Sequence, residues 1–222
     1  MWCKHTNFEA ATRIPMMVHV PGVTSPDSDF RRVDALARDR DGHGTGSGRL
    51  TASQAGPTTS ALVEAVDLDP TLAELAGLPA PDVCPDVNLH VETCVEGTSL
   101  VPLLRDATAQ SSSLGDHALP WKDAAFSQHI RKPSDSGLNI TVMGYSLRTA
   151  QHRYAEWVAY DHASFRANFS HVLARELYVH SADPDESRNV AEVGTYSDTV
   201  ESLSQLLRAG WKATLQKYLS HH

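Results

Sequence analysis

The chain has 222 residues, 41% of them apolar, enough for one large domain or two small ones and unlike a disordered composition. Its 19 Lys and Arg against 27 Asp and Glu leave a formal net charge of −8, which argues against general binding of nucleic acid or anionic membrane. No apolar run approaches the ~20 residues that cross a bilayer, and Met1-Trp2-Cys3-Lys4-His5 carries one cation with no apolar stretch behind it, so no signal peptide is expected.

Along the chain, Ile14 to Gly22 is a short apolar run bounded by prolines, which predicts a buried strand. Residues 23–60 are Gly-rich and polar without periodicity and read as a long flexible loop. Asp69-Pro70 resembles an N-cap followed by proline at the first helical position, with Leu68 as a staple. Leu72, Leu75 and Ala76 then share one face, and Gly77 supplies a stop. Pro79, Pro81 and Pro85 make a loop up to Cys94, and residues 105–137 are polar. From there the period turns to two, with strands predicted at 140–143, 145–149, 153–160 and 176–179 of an antiparallel sheet. Val200, Leu203, Leu207, Trp211, Leu215 and Tyr218, three or four apart, predict one amphipathic terminal helix.

Two patterns imitate catalytic motifs. Asp41-Gly42-His43-Gly44-Thr45 and Gly97-Thr98-Ser99 look like tripeptides of subtilisin-like proteases. That chemistry needs a rigidly held base beside the hydroxyl, whereas His43 sits in a Gly-rich stretch. Ser99 reads instead as a helix-start residue. The 12 histidines, among them His129, His152, His162, His171 and His180, lack the spacing of a metal-ligating set, so no metal residue is assigned. Of the three cysteines at least one is left over, and Asn139-Ile140-Thr141 and Asn168-Phe169-Ser170 are sequons for N-glycosylation.

Three stretches taken together resemble the sulfatase family. They are Lys4 to Pro15 with Val18-His19-Val20-Pro21-Gly22; Val66 to Leu78 with Glu96-Gly97-Thr98-Ser99-Leu100-Val101-Pro102-Leu103-Leu104; and Gly144 to Thr149 with Arg153-Tyr154, Glu176-Leu177-Tyr178 and Asp183-Pro184. Cys84 to Cys94, Ser127-Gln128 with Arg131, and Phe165 to Ser170 are most similar to the iduronate-2-sulfatase branch. The resemblance implies an α/β, alkaline-phosphatase-like sulfatase fold, of which this would be the C-terminal portion. Residues 1–104 would be a remnant of the α/β core (with 23–60 a flexible loop) and residues 105–123 a linker. Residues 124–222 would form an antiparallel four-stranded subdomain with a C-terminal helix.

The resemblance also implies roles. Family members hydrolyse sulfate esters with a formylglycine made from cysteine in Cys-x-Pro-Ser-Arg and with a Ca²⁺ held mainly by aspartates. None of Cys3, Cys84 and Cys94 is followed by Pro-Ser-Arg, so nucleophile and metal ligands are expected in an upstream part of the enzyme, and this chain alone is expected to be inactive. Lys4 matches the lysine that contacts the sulfate, a point charge suited to developing negative charge. His5 would touch the sugar, and Arg131 would meet the uronate carboxylate. Cys84–Cys94 would be the family disulfide, which implies an oxidising compartment; Asn168 matches a glycosylation position and Asn139 is a second candidate. The expected substrate is the 2-sulfated L-iduronate of heparan or dermatan sulfate, in the lysosome. The other reading is a non-catalytic module binding sulfated glycans, or a truncated remnant.

Overall fold

The computed structural model describes residues 6–24, 58–79, 81–85, 93–110, 121–131 and 139–219. Helices α1 (Glu9–Thr12), α2 (Leu68–Leu75) and α3 (Val101–Gln110) come first, then strands β1 (Ala124–Arg131), β2 (Val142–Thr149), β3 (His152–Asp161) and β4 (Arg166–Val179). Helices α4 (Ser197–Ala209) and α5 (Trp211–Leu219) close the chain. The strands form an antiparallel meander in the order β1-β2-β3-β4.

Alternation along the strands gives the sheet two unlike faces. One carries Leu147, Tyr154 and Leu177, which pack on Leu203 and Leu207 of α4 to make the apolar core. Helix α5 covers β1 from the same chain end, with Leu215 buried. The terminal helix is two helices rather than one, because Gly210 takes φ 78°, a left-handed value that interrupts the α-helix.

Residues 14–20 form no strand, and Ile14, Met16 and Met17 are exposed; no described strand lies alongside to bury them. The helix at α2 starts earlier than predicted. A 3₁₀ turn, Ala65–Asp67, precedes it, so Pro70 sits at the third helical position and Leu68 is exposed rather than a staple. The buried face of α2 carries Pro70 and Thr71, while Leu72 is 65% exposed. Gly77, at φ 69°, ends it as expected. The predicted strands at 140–143 and 145–149 are one continuous strand, β2, and β1 arises in a stretch that reads as polar.

A buried ion cluster joins this first part to the sheet. Asp67, fully buried, accepts two contacts from Lys122 Nζ at 2.7 and 2.8 Å and the backbone N–H of Thr98 at 2.9 Å. Lys122 also donates to Glu64 at 2.8 Å, and Glu64 Oε1 accepts the N–H of Phe126 on β1 at 2.7 Å. Gly97 lies so close to Val66 that any Cβ would overlap the Val66 carbonyl, which accounts for glycine in Gly97-Thr98-Ser99. Ser99 Oγ accepts the N–H of Val101 at 3.2 Å, the helix-start role expected of it. His43 lies outside the described residues.

Candidate functional site

The face of the sheet opposite the core is polar and aromatic. Register places Arg153, Ala155 and Trp157 of β3 on it, opposite Tyr178, Glu176 and Ala174 of β4 and Arg148, Ser146 and Gly144 of β2. His129 and Arg131 of β1 fall on the same face. Residues 6–9 lie across it. Asn7 Nδ2 donates to Gly144 O at 3.1 Å, Glu9 N donates to Glu186 Oε2 at 2.8 Å, and Arg148 Nε donates to Glu9 Oε2 at 3.0 Å.

Arg153 is buried here, its guanidinium carbon 4.5 and 4.6 Å from the ring centres of Phe8 and Tyr178, which themselves meet edge to face at 5.7 Å. Nη2 donates to Glu176 Oε2 at 2.9 Å, and Nε lies 2.9 Å from Glu186 Oε1, an ion-pair distance without hydrogen-bond alignment. Glu186 sits at φ 53° in the turn after β4, an uncommon conformation for a non-glycine residue that its contacts hold in place. Burial first, and then the Glu176 charge, push the Tyr178 hydroxyl above its usual range.

Between these elements lies a cleft of about 240 Å³ lined by Thr6, Phe8, His129, Ile130, Arg131, Trp157 and Glu176. It combines an exposed guanidinium, an indole and a carboxylate. A larger, more open cleft of about 560 Å³ lies on the other side of the sheet, by α4. Its two arginines, Arg175 and Arg208, both face the buried Glu156 carboxylate, which also accepts from Tyr154 and Ser204. The cations there are already matched by a partner.

Of the residues singled out from sequence, Arg131 lies in the smaller cleft. Lys4 and His5 lie outside the described residues; Thr6, the next residue along the chain, lines that cleft. Cys84 and Cys94 are joined as a disulfide, bracketed by the Val83–Val95 bridge. Asn139 and Asn168 are exposed, and Asn168 Oδ1 accepts the N–H of Ser170 at 3.0 Å. Cys3 lies outside the described residues. Sequence reasoning missed Trp157, Glu176 and His129. The available signal was alternation, which puts 153, 155 and 157 on one face and 154, 156 and 158 on the other.

Among the described residues, Glu9, His180 and Glu186 bring three possible ligand atoms within 4.8 Å of one another. They do not suit Ca²⁺, which takes six to eight oxygens. Glu9 is already engaged by Arg148, and Glu186 by Arg153 and by His180 Nε2 at 2.8 Å. No described helix is long and apolar enough to cross a membrane.

Over 213 residues the chain is 40% identical to iduronate 2-sulfatase of Mus musculus, a match covering 91% of this chain and 37% of that protein. The chain belongs to the sulfatase family. A second relative, arylsulfatase K of Rattus norvegicus, is 30% identical over 148 residues, covering 67% of this chain and 21% of that one. This sulfatase chain thus spans little more than a third of the length of the iduronate 2-sulfatases it matches and about a fifth of that of arylsulfatase K. No family model matches it. A solved structure of a protein in complex with its substrate D-glucosamine-2-N, 6-O-disulfate aligns with TM-score 0.46 at 24% identity, covering 75% of this chain and 26% of that one. As a sulfatase portion the chain has the antiparallel four-stranded sheet that its resemblance implied, with two terminal helices where one was expected.

Proposed function

We propose that this chain is part of a sulfuric ester hydrolase that removes the 2-sulfate from L-iduronate in heparan or dermatan sulfate. The observation that carries this reading is the cleft that Thr6, directly after Lys4 and His5 in sequence, lines together with Arg131. In this reading Lys4 takes the sulfate, His5 the sugar and Arg131 the uronate carboxylate. A forked guanidinium suits a planar carboxylate because two parallel N–H donors match its two oxygens.

Nothing in this chain supplies the nucleophile, since Cys84 and Cys94 are paired and no cysteine is followed by Pro-Ser-Arg. The formylglycine and the Ca²⁺ ligands belong, in this reading, to an upstream part of the same enzyme. The exposed apolar residues of α2 and its flanks, Val66, Leu68, Leu72 and Leu78, support that partner, because apolar groups left in water gain by being covered. The lysosome is the compartment proposed, with the disulfide and the exposed Asn139 and Asn168 in support.

The test is turnover of a fluorogenic iduronide 2-sulfate. The chain alone should give none. The same chain joined behind the catalytic portion of the mouse relative should hydrolyse it, and Lys4→Ala should remove that activity. Turnover by the chain alone, or an active fusion indifferent to Lys4→Ala, contradicts the assignment. A second reading, a sulfated-glycan-binding module without catalysis, is favoured by the exposed Arg131 guanidinium standing over the Trp157 ring in the cleft, a pair that suits an anionic sugar. It predicts disaccharide binding at low salt and a fusion that never turns over.

A further inference from the structure

Trp157 lies on the side of the sheet away from the apolar core, so packing of that core does not explain it. It is only half-buried, yet it is held at several points. Its register partner on β2 is Gly144, and a Cβ at that position would come within 2.7 to 2.9 Å of the six-membered ring of the indole. Only glycine lets the ring lie down on β2. On its polar edge, Nε1–H donates to Glu176 Oε1 at 2.9 Å. Glu176 is itself fixed, because its other oxygen accepts from the buried Arg153 at 2.9 Å, and Arg153 packs beside the edge-to-face pair of Phe8 and Tyr178.

At the end of this series stands Arg131. It is exposed, at the last position of β1, and its guanidinium carbon lies 5.6 Å from the centre of the Trp157 ring. A long side chain at a strand end loses much rotamer freedom when it binds a ligand, and an aromatic ring that holds the guanidinium beforehand reduces that loss.

We propose that Trp157 is the positioning residue for Arg131, and that the Arg131–Trp157 pair makes the cleft select a sugar ring bearing a carboxylate, a hexuronate, over its neutral counterpart. This rests on the reading of Arg131 as the carboxylate contact. Gly144 and Glu176 serve the same arrangement by fixing the plane and the edge of the indole.

The experiment is calorimetric titration of the whole chain at low salt with a 2-sulfated hexuronate disaccharide and with the same disaccharide after reduction of its carboxylate to a hydroxymethyl group. The chain should bind the uronate about tenfold or more tighter, the scale of one charge-assisted contact. Arg131→Ala should abolish the preference. Trp157→Ala should lower it toward the Arg131→Ala value, and Trp157→Phe, which keeps a ring and loses the Glu176 tether, should fall between. Loss of selectivity with the neutral disaccharide still bound separates positioning from general damage to the fold, and Trp157→Phe decides the matter if Trp157→Ala does not fold. Should Arg131→Ala abolish the preference while both tryptophan variants keep it, the positioning role is overturned and the Arg131 reading stands. Should the unaltered chain show no preference, or Arg131→Ala leave it intact, the Arg131 reading falls and takes this proposal with it.

Discussion

Replacing Lys122 with methionine removes the one cation in the cluster that joins residues 64–71 to β1. Lys122 has a side chain 3% exposed, and it donates to Asp67 at 2.7 and 2.8 Å and to Glu64 at 2.8 Å. Asp67 is 0% exposed and, among the described residues, would keep the backbone donors of Glu64 and Thr98. Removing one partner of a buried pair costs about 3–5 kcal/mol, because the other charge stays desolvated without compensation. At about 2–4 °C per kcal/mol for a chain of this size, the melting temperature should fall by roughly 6–20 °C. Urea unfolding followed by circular dichroism gives the free energy directly. Adding Asp67→Asn removes the stranded charge, so the double variant should be more stable than the sum of the two singles, by up to about 3 kcal/mol. A Lys122→Met loss under about 1 kcal/mol, the range of a solvated surface pair, would refute the buried-cluster reasoning.

Cys84→Ser opens a loop of ten residues and should destabilise the chain by about 2–3 kcal/mol in the loop-entropy model, read as a shift in the urea midpoint; no shift would mean the bridge is not formed in solution. Burial first, then the charges of His180 and Arg148, lower the pKa of His152 from its ordinary 6.5. The unfolded chain therefore binds that proton more readily. The associated stability is present above pH 6.5 and is lost as pH falls toward the folded value, so His152→Gln should flatten the acid limb of stability against pH. Tyr154 behaves oppositely. Burial, and then the hydrogen bond to Glu156, raise its pKa from 10.0, so its contribution is full below pH 10 and lost as pH rises, and Tyr154→Phe should lessen the alkaline decline expected of the wild type, with the raised Tyr145 and Tyr178 supplying the remainder.

What could be read from the sequence was whatever rests on alternation or on turn chemistry. Strands β2 and β3 alternate clearly through Leu147, Tyr154 and Val158, and Gly77 stops α2 where a left-handed residue is needed. Strand β1 was hidden because Ser127, Gln128, His129 and Arg131 face water or the cleft, and its apolar residues are few. The run at 14–20 looked like a buried strand because apolar composition signals burial only where a partner strand exists. Buried charges were the main blind spot. Lysine, arginine and glutamate are as types mostly exposed, and only the three-dimensional pairing shows why Lys122, Arg153 and Glu156 are buried and matched. In the cleft, Arg131 is a residue that the family motifs singled out, whereas Trp157 and Glu176 depend on register across three strands, which no local pattern encodes.

The most direct test of the account is a heteronuclear NMR titration of the chain with a 2-sulfated iduronate disaccharide at low salt. The account predicts shifts confined to the cleft face: the backbone N–H groups of Thr6, His129 and Arg131 and the indole N–H of Trp157. Shifts centred instead on Arg175, Ser204 and Arg208 beside α4, or none at any concentration that saturates a millimolar site, would contradict it.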